Sequence, residues 1–127
     1  MSKIRHIAYR SADVETMANF FVNALGMTIT QRRKNRAIDL SDGTINITVL
    51  PMLQAGPNGE PPRQGVDHIG FTVEDDAAAS QRLESAGAKK IATIELGSPA
   101  HYEAKYKGPE GIVVDIGKWV GTEPVKD

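Results

Sequence analysis

The chain has 127 residues, with 15 Lys plus Arg against 16 Asp plus Glu and no cysteine. That is the size of one ordinary domain, and a formal charge of -1 supplies no overall field that would favour nucleic acid or an anionic membrane. Without cysteine there are no disulfides, zinc thiolate sites or cysteine nucleophiles, and no stretch approaches the roughly 20 apolar residues of a membrane span.

In chain order, residues 4–9 (IRHIAY) alternate as a strand does. The next segment, SADVETMANFFVNALGM, offers a helix start at Ser11 or Asp13, apolar positions at helical spacing, and Gly26 as a stop. Three strands are then predicted over 27–33, 36–41 and 44–51, the last entered through the turn sequence SDGT. The basic run QRRKNR, residues 31–36, falls at the hairpin between the first two. It is read as a solvated turn, with an anion contact as the alternative. A connector rich in proline and glycine, 52–65, follows.

The second half repeats the order. Residues 66–73 (VDHIGFTV) read as a strand, Asp75 or Asp76 as a cap, AAASQRLESAG as a helix and Gly87 as its stop. Strands are predicted over 89–95, 101–107 and 112–117, with GPEG before the last. His6 and His68 are 62 residues apart and Gly26 and Gly87 are 61 apart, so the halves stay in register across a strand and a helix. The chain is therefore expected to be α+β, built from two βαβββ modules at about 1–51 and 66–120.

Successive strand residues face opposite sides, which assigns faces from sequence alone. Ile69, Phe71 and Val73 form the set that packs under a helix, so His68 points away from it, as does His6 beside Ile4 and Ala8. In GIVVDIGKW, Ile112, Val114 and Ile116 are the packed set and Asp115 shares the histidines' face. In TINITVLP the corresponding positions are Asn46 and Thr48. If the inner faces enclose one cavity, His6, His68 and Asp115 converge there with Asn46 or Thr48 as a neutral contributor. Two imidazoles and a carboxylate suit Fe(II), Mn(II), Ni(II) or Zn(II). Trp119 is expected to pack as a hydrophobic contact.

The segments HIAYRSADVETMANFFVNALGM, LSDGTINITVLP, DHIGFTVED and GPEGIVVDI together resemble the vicinal oxygen chelate superfamily over nearly the whole chain. That superfamily includes glyoxalase I, methylmalonyl-CoA epimerase, extradiol dioxygenases and antibiotic resistance proteins. The resemblance implies two modules forming one incomplete barrel, a homodimer, and metal ligands at His6 and His68, with Asp115 where the family has Glu. Glyoxalase I has a second Glu where this chain offers Asn46 or Thr48, whereas epimerases accept a neutral ligand there. Extradiol dioxygenases carry a Tyr where this chain has Lys105.

The turn at GPEG decides what stands beside Asp115. An even turn would bring Tyr102, Ala104 and Tyr106 to its face, and a bulged turn would bring His101, Glu103 and Lys105. In the bulged case Glu103 serves as a general base and Lys105 as a cation for an enolate or carboxylate. The expected function is a divalent-metal enzyme, a lyase, isomerase or oxygenase, acting on a small oxygenated substrate chelated to the metal. The alternatives are an extradiol ring-cleavage dioxygenase and a non-catalytic, resistance-type binding protein. The chain is expected to be soluble and cytoplasmic.

Overall fold

In a computed structural model the chain is described at residues 2–53, 55–59, 61–97 and 101–117, with backbone alone at 94–97 and 101–103. Trp119 and the end of the second module lie outside the described residues. The fold is α+β: two βαβββ modules, organised as two compact units divided between Asp67 and His68, the second of which also takes the first few residues of the chain.

The first module runs β1 (Lys3–Ser11), α1 (Val14–Leu25), β2 (Thr28–Arg32), β3 (Ile38–Ser41) and β4 (Asn46–Pro51). Of the two helix starts offered by the sequence, Asp13 is the cap: its carboxylate accepts from the Thr16 amide at 3.1 Å. Gly26 closes the helix at φ 72, a left-handed conformation in which a Cβ would crowd the backbone. Val14, Met17, Ala18, Phe21 and Val22 recur at helical spacing and lay one stripe on Met27, Ile29, Ile38, Leu40, Ile47 and Val49.

Strand pairing then fixes the opposite face. β1 runs parallel to β4 with His6 opposite Asn46 and Ala8 opposite Thr48, while antiparallel β3 places Ser41 opposite Asn46 and Asp39 opposite Thr48. Since Ile47 and Val49 point at α1, the residues alternating with them point away from it. The turn between β3 and β4 is held by Asp42, whose carboxylate accepts from the backbone amides of Ile45 at 2.7 Å and Thr44 at 2.8 Å.

The second module runs β5 (Gly65–Thr72), α2 (Asp76–Ser85), β6 (Lys89–Gly97), β7 (His101–Lys107) and β8 (Val113–Gly117). Asp75 caps α2, accepting from the Ala78 amide at 3.1 Å, and Gly87 follows the helix at φ 96. Phe71, Val73, Ala79, Leu83, Ala104, Tyr106, Val114 and Ile116 form the core. Among the described residues Tyr106 is the largest fully buried side chain, and its hydroxyl shares a hydrogen bond with Ser80 of α2, which satisfies the one polar atom the ring carries inside.

The β7–β8 connection settles the hairpin register. Lys107 pairs with Val113, so five residues intervene, closed by the Gly108 amide donating to the Ile112 carbonyl at 2.8 Å. The turn is the bulged form, with Glu110 at φ 56 and Gly111 at φ 79. One consequence corrects the sequence expectation: Ile112 belongs to the turn and is 47% exposed, so Val114 and Ile116 carry the packed face of β8 without it.

The Asp42 amide contacts, Ile45 first and then Thr44, hold its carboxyl below the usual 3.8. A depressed folded pKa contributes stability above the unfolded value and loses it as pH falls through the folded one. Asp42→Ala is therefore expected to lower the melting temperature at pH 7, with the gap to wild type closing below about pH 3.8. Thermal melts of both proteins between pH 7 and pH 2.5 check this, and a gap that stays constant with pH would contradict it.

Candidate active site

On the polar face of the first module, His6, Asp39, Ser41, Asn46 and Thr48 are all buried. Burying such groups is tolerable only when their hydrogen bonds are made; Ser41 Oγ accepts from the Gly43 amide at 2.9 Å, and the others are linked to one another. Arg33 holds Asp39 Oδ2 through Nε at 2.9 Å and Nη2 at 2.6 Å. The Thr48 hydroxyl donates to Asp39 Oδ1 at 2.7 Å and lies 3.1 Å from Asn46 Oδ1. Asn46 Nδ2 donates to the Leu40 carbonyl at 3.2 Å, and Asn46 Oδ1 is hydrogen-bonded to His6 Nδ1.

That chain of contacts fixes the histidine's tautomer. The Leu40 carbonyl accepts only, so the end of the Asn46 amide beside it is the nitrogen and the end beside His6 is the oxygen. Nδ1 must then carry the proton, and in the neutral ring Nε2 holds the lone pair, the form that ligates a metal or takes a proton. Asn46 thus orients His6 and shares its face.

Asp39 is the site residue that sequence reasoning passed over. Its signal was present in AIDLS, where Ile38 and Leu40 are apolar and Asp39 and Ser41 alternate with them, the same pattern that singled out Asn46 and Thr48. It is 1% exposed, on the same sheet face as His6.

The second module builds a separate polar cluster around Asp115, whose side chain is completely buried. Lys105 stands directly opposite Asp115 across β7 and β8, and its Nζ is 3.1 Å from Asp115 Oδ2. On the other flank β5 runs parallel with Gly70 opposite Asp115. Gly70 has no side chain, and His68, two residues earlier on the same face, brings Nε2 to 3.3 Å from the same Oδ2. Glu103 pairs with Ile94 across β6, and its side chain lies outside the described residues.

His6 and Asn46 are thus brought together in one module, and His68, Asp115 and Lys105 in the other. Among the described residues no three His, Asp or Glu side chains stand together as a metal-holding cluster. At the level of donor pairs, the 3.3 Å between His68 Nε2 and Asp115 Oδ2 fits two ligands each about 2.1 Å from a shared ion. The Lys105 ammonium already bears on that oxygen.

A cavity of about 480 Å³ opens in the first module between the start of α1 and the β2–β3 hairpin, lined by Asp13, Glu15, Arg32, Arg33, Arg36 and Met52 among others. The basic run thus forms part of a concave wall. Arg32 pairs with Glu15 and Arg33 with Asp39, while Arg36 makes no ion pair among the described residues. Arg36 also sits at φ 71, a conformation more easily held by glycine or asparagine.

The family model described as Glyoxalase/Bleomycin resistance protein/Dioxygenase superfamily matches residues 3–116. The chain belongs to this superfamily. An ethylmalonyl-CoA/methylmalonyl-CoA epimerase of Cereibacter sphaeroides is 28% identical over 111 residues, covering 80% of this chain and 83% of that one. Among solved structures, a methylmalonyl-CoA epimerase of Streptomyces coelicolor in complex with 2-nitronate-propionyl-CoA superposes with a TM-score of 0.70 at 17% identity, covering 94% of this chain and 98% of that one. The Mn(II)-bound glyoxalase of Novosphingobium aromaticivorans superposes with a TM-score of 0.71 at 20% identity, covering 98% of this chain and 39% of that one. Likeness at these identities establishes the shared fold. No helix among the described residues is long and apolar enough to cross a membrane.

Thr48 joins the two ends of the first cluster through one hydroxyl. Thr48→Val keeps the shape but leaves a buried Asp39 oxygen without its donor, so it is expected to lower the unfolding free energy by about 1–3 kcal/mol. Urea denaturation measures this, and an unchanged midpoint would show that the hydroxyl does not hold the cluster together.

Proposed function

We propose that the protein is an isomerase that moves a proton at the carbon next to the carbonyl of a small acyl thioester, of the kind handled by the epimerase from Cereibacter sphaeroides. The observation that carries this reading is the buried Asp39 carboxylate, fixed on the same polar face as an imidazole whose Nε2 holds the lone pair. Removing a proton next to a carbonyl requires a positioned base and a means of stabilising the charge that develops on the oxygen. Asp39 is the base proposed in the first module, and Glu103 the one proposed in the second.

In the second module His68 and Asp115 would hold a divalent ion, Fe, Mn, Ni or Zn, and in the first His6, with Asn46 as a neutral contributor, offers the matching donors. When bound, that ion supplies Lewis acidity at the substrate oxygens. The chain's own contributions are separate from it. Asn46 keeps the His6 ring in one tautomer, Thr48 and Arg33 hold the Asp39 carboxylate still, and Lys105 offers a cation to an enolate or carboxylate oxygen. The cavity wall of Arg32, Arg33 and Arg36 suits the phosphates of a thioester carrier, with Arg36 as the cation available to them. The same proposal takes the two modules as one functional domain and the protein as a homodimer; exposed Phe20, Leu25 and Val66 supply apolar surface that such an assembly would cover.

The test is exchange of solvent deuterium into the carbon next to the thioester carbonyl of methylmalonyl-CoA, followed by NMR. Exchange well above the uncatalysed rate is expected, and Asp39→Asn is expected to lower it by roughly 10²–10⁴-fold. Exchange no faster than without protein would overturn the reading. Arg36→Ala is expected to raise KM for the thioester several-fold while leaving kcat nearly unchanged, and steady-state kinetics on the two proteins separate these effects.

A further inference from the structure

A carboxylate enclosed by protein requires a counter-charge, because the interior solvates an isolated charge poorly. At Asp115 that charge is already part of the chain. Lys105 is held opposite it by the β7–β8 register, and the ammonium lies 3.1 Å from Oδ2, the oxygen that His68 Nε2 also approaches at 3.3 Å. The oxygen through which Asp115 and His68 could share an ion is therefore the one the ammonium holds.

An ammonium and a divalent ion at one carboxylate oxygen are like charges a few ångströms apart in surroundings that screen them weakly. One must leave for the other to stay. Lys105 is the cation of the two that can move without leaving the protein: its side chain is 14% exposed and its four-carbon stem is flexible.

We infer that the Lys105 ammonium competes with a divalent metal ion for Asp115, so that Lys105 sets how tightly this site binds metal. The inference rests on the reading that His68 and Asp115 belong to a metal site. It goes further in giving that site two alternative cations, one covalently tethered and one exchangeable. With the tethered cation in place Asp115 is charge-balanced, and metal binds only by displacing it. Substitutions at position 105 therefore act on metal affinity before they act on chemistry.

The experiment uses the full chain, stripped of metal by chelator, as wild type, Lys105→Met and Lys105→Arg. Each is titrated with Mn(II) and Zn(II) by calorimetry, and each is melted with and without metal. Lys105→Met is expected to bind metal at least tenfold more tightly than wild type. It is also expected to melt lower than wild type without metal and to regain the difference when metal is added. Lys105→Arg keeps a cation against Asp115 and is expected to bind metal no more tightly than wild type. Should Lys105→Met fail to stay folded without metal, Lys105→Gln, which keeps a polar contact without the charge, replaces it in the same comparison. Equal metal affinity in wild type and the uncharged variants would overturn the competition while leaving the metal site standing. Absence of binding to every variant, at metal concentrations in the millimolar range, would overturn both.

Discussion

Among the described residues two aspartates are buried on strands, and the cost of enclosing them organises what surrounds them. Each is held by a cation from its own module: Asp39 by the Arg33 guanidinium and Asp115 by the Lys105 ammonium. In both cases the apolar stripe of the helix takes one face of the sheet, so the carboxylate is left on the other, where only polar neighbours can reach it. The two solutions differ in kind. Arg33 is a planar fork with two nitrogens on one oxygen, whereas Lys105 is a single point charge sharing its oxygen with an imidazole.

The first cluster is therefore rigid in a way the second is not. From Arg33 to His6 every contact has one geometry, and the amide of Asn46 is pinned at both ends. Around Asp115, by contrast, the flank at Gly70 carries no side chain and the neighbouring cation hangs on a flexible stem. One module thus holds its buried carboxylate still with a two-pronged cation, and the other balances its own with a cation that is free to turn about its stem.

Much of this was legible in the sequence because period and punctuation are local. Asp13, Gly26, Asp75 and Gly87 mark helix ends through their own side chains or lack of them, and strict alternation placed His6, His68, Asn46 and Asp115 on the polar faces. The hairpin before β8 was open to two readings because its parity depends on whether Glu110 adopts a positive φ, a backbone choice that its side chain does not announce. Ile112 looked like a core residue for the same reason, since counting alternation back through a bulge assigns the wrong face. Asp39 alternates as readably as Asn46 does, but a buried carboxylate is singled out only by its partners, Arg33 and Thr48, which sequence does not bring together. The role of Asn46 needed atoms, because only the Leu40 carbonyl shows which way the amide points.

The Thr48 hydroxyl has one hydrogen and two oxygens within reach, on Asp39 and on Asn46. Arg33, at the far end of the same chain, forms part of the cavity wall. The cavity wall and the His6 ring are therefore joined by an unbroken run of side-chain contacts, from Arg33 through Asp39, Thr48 and Asn46.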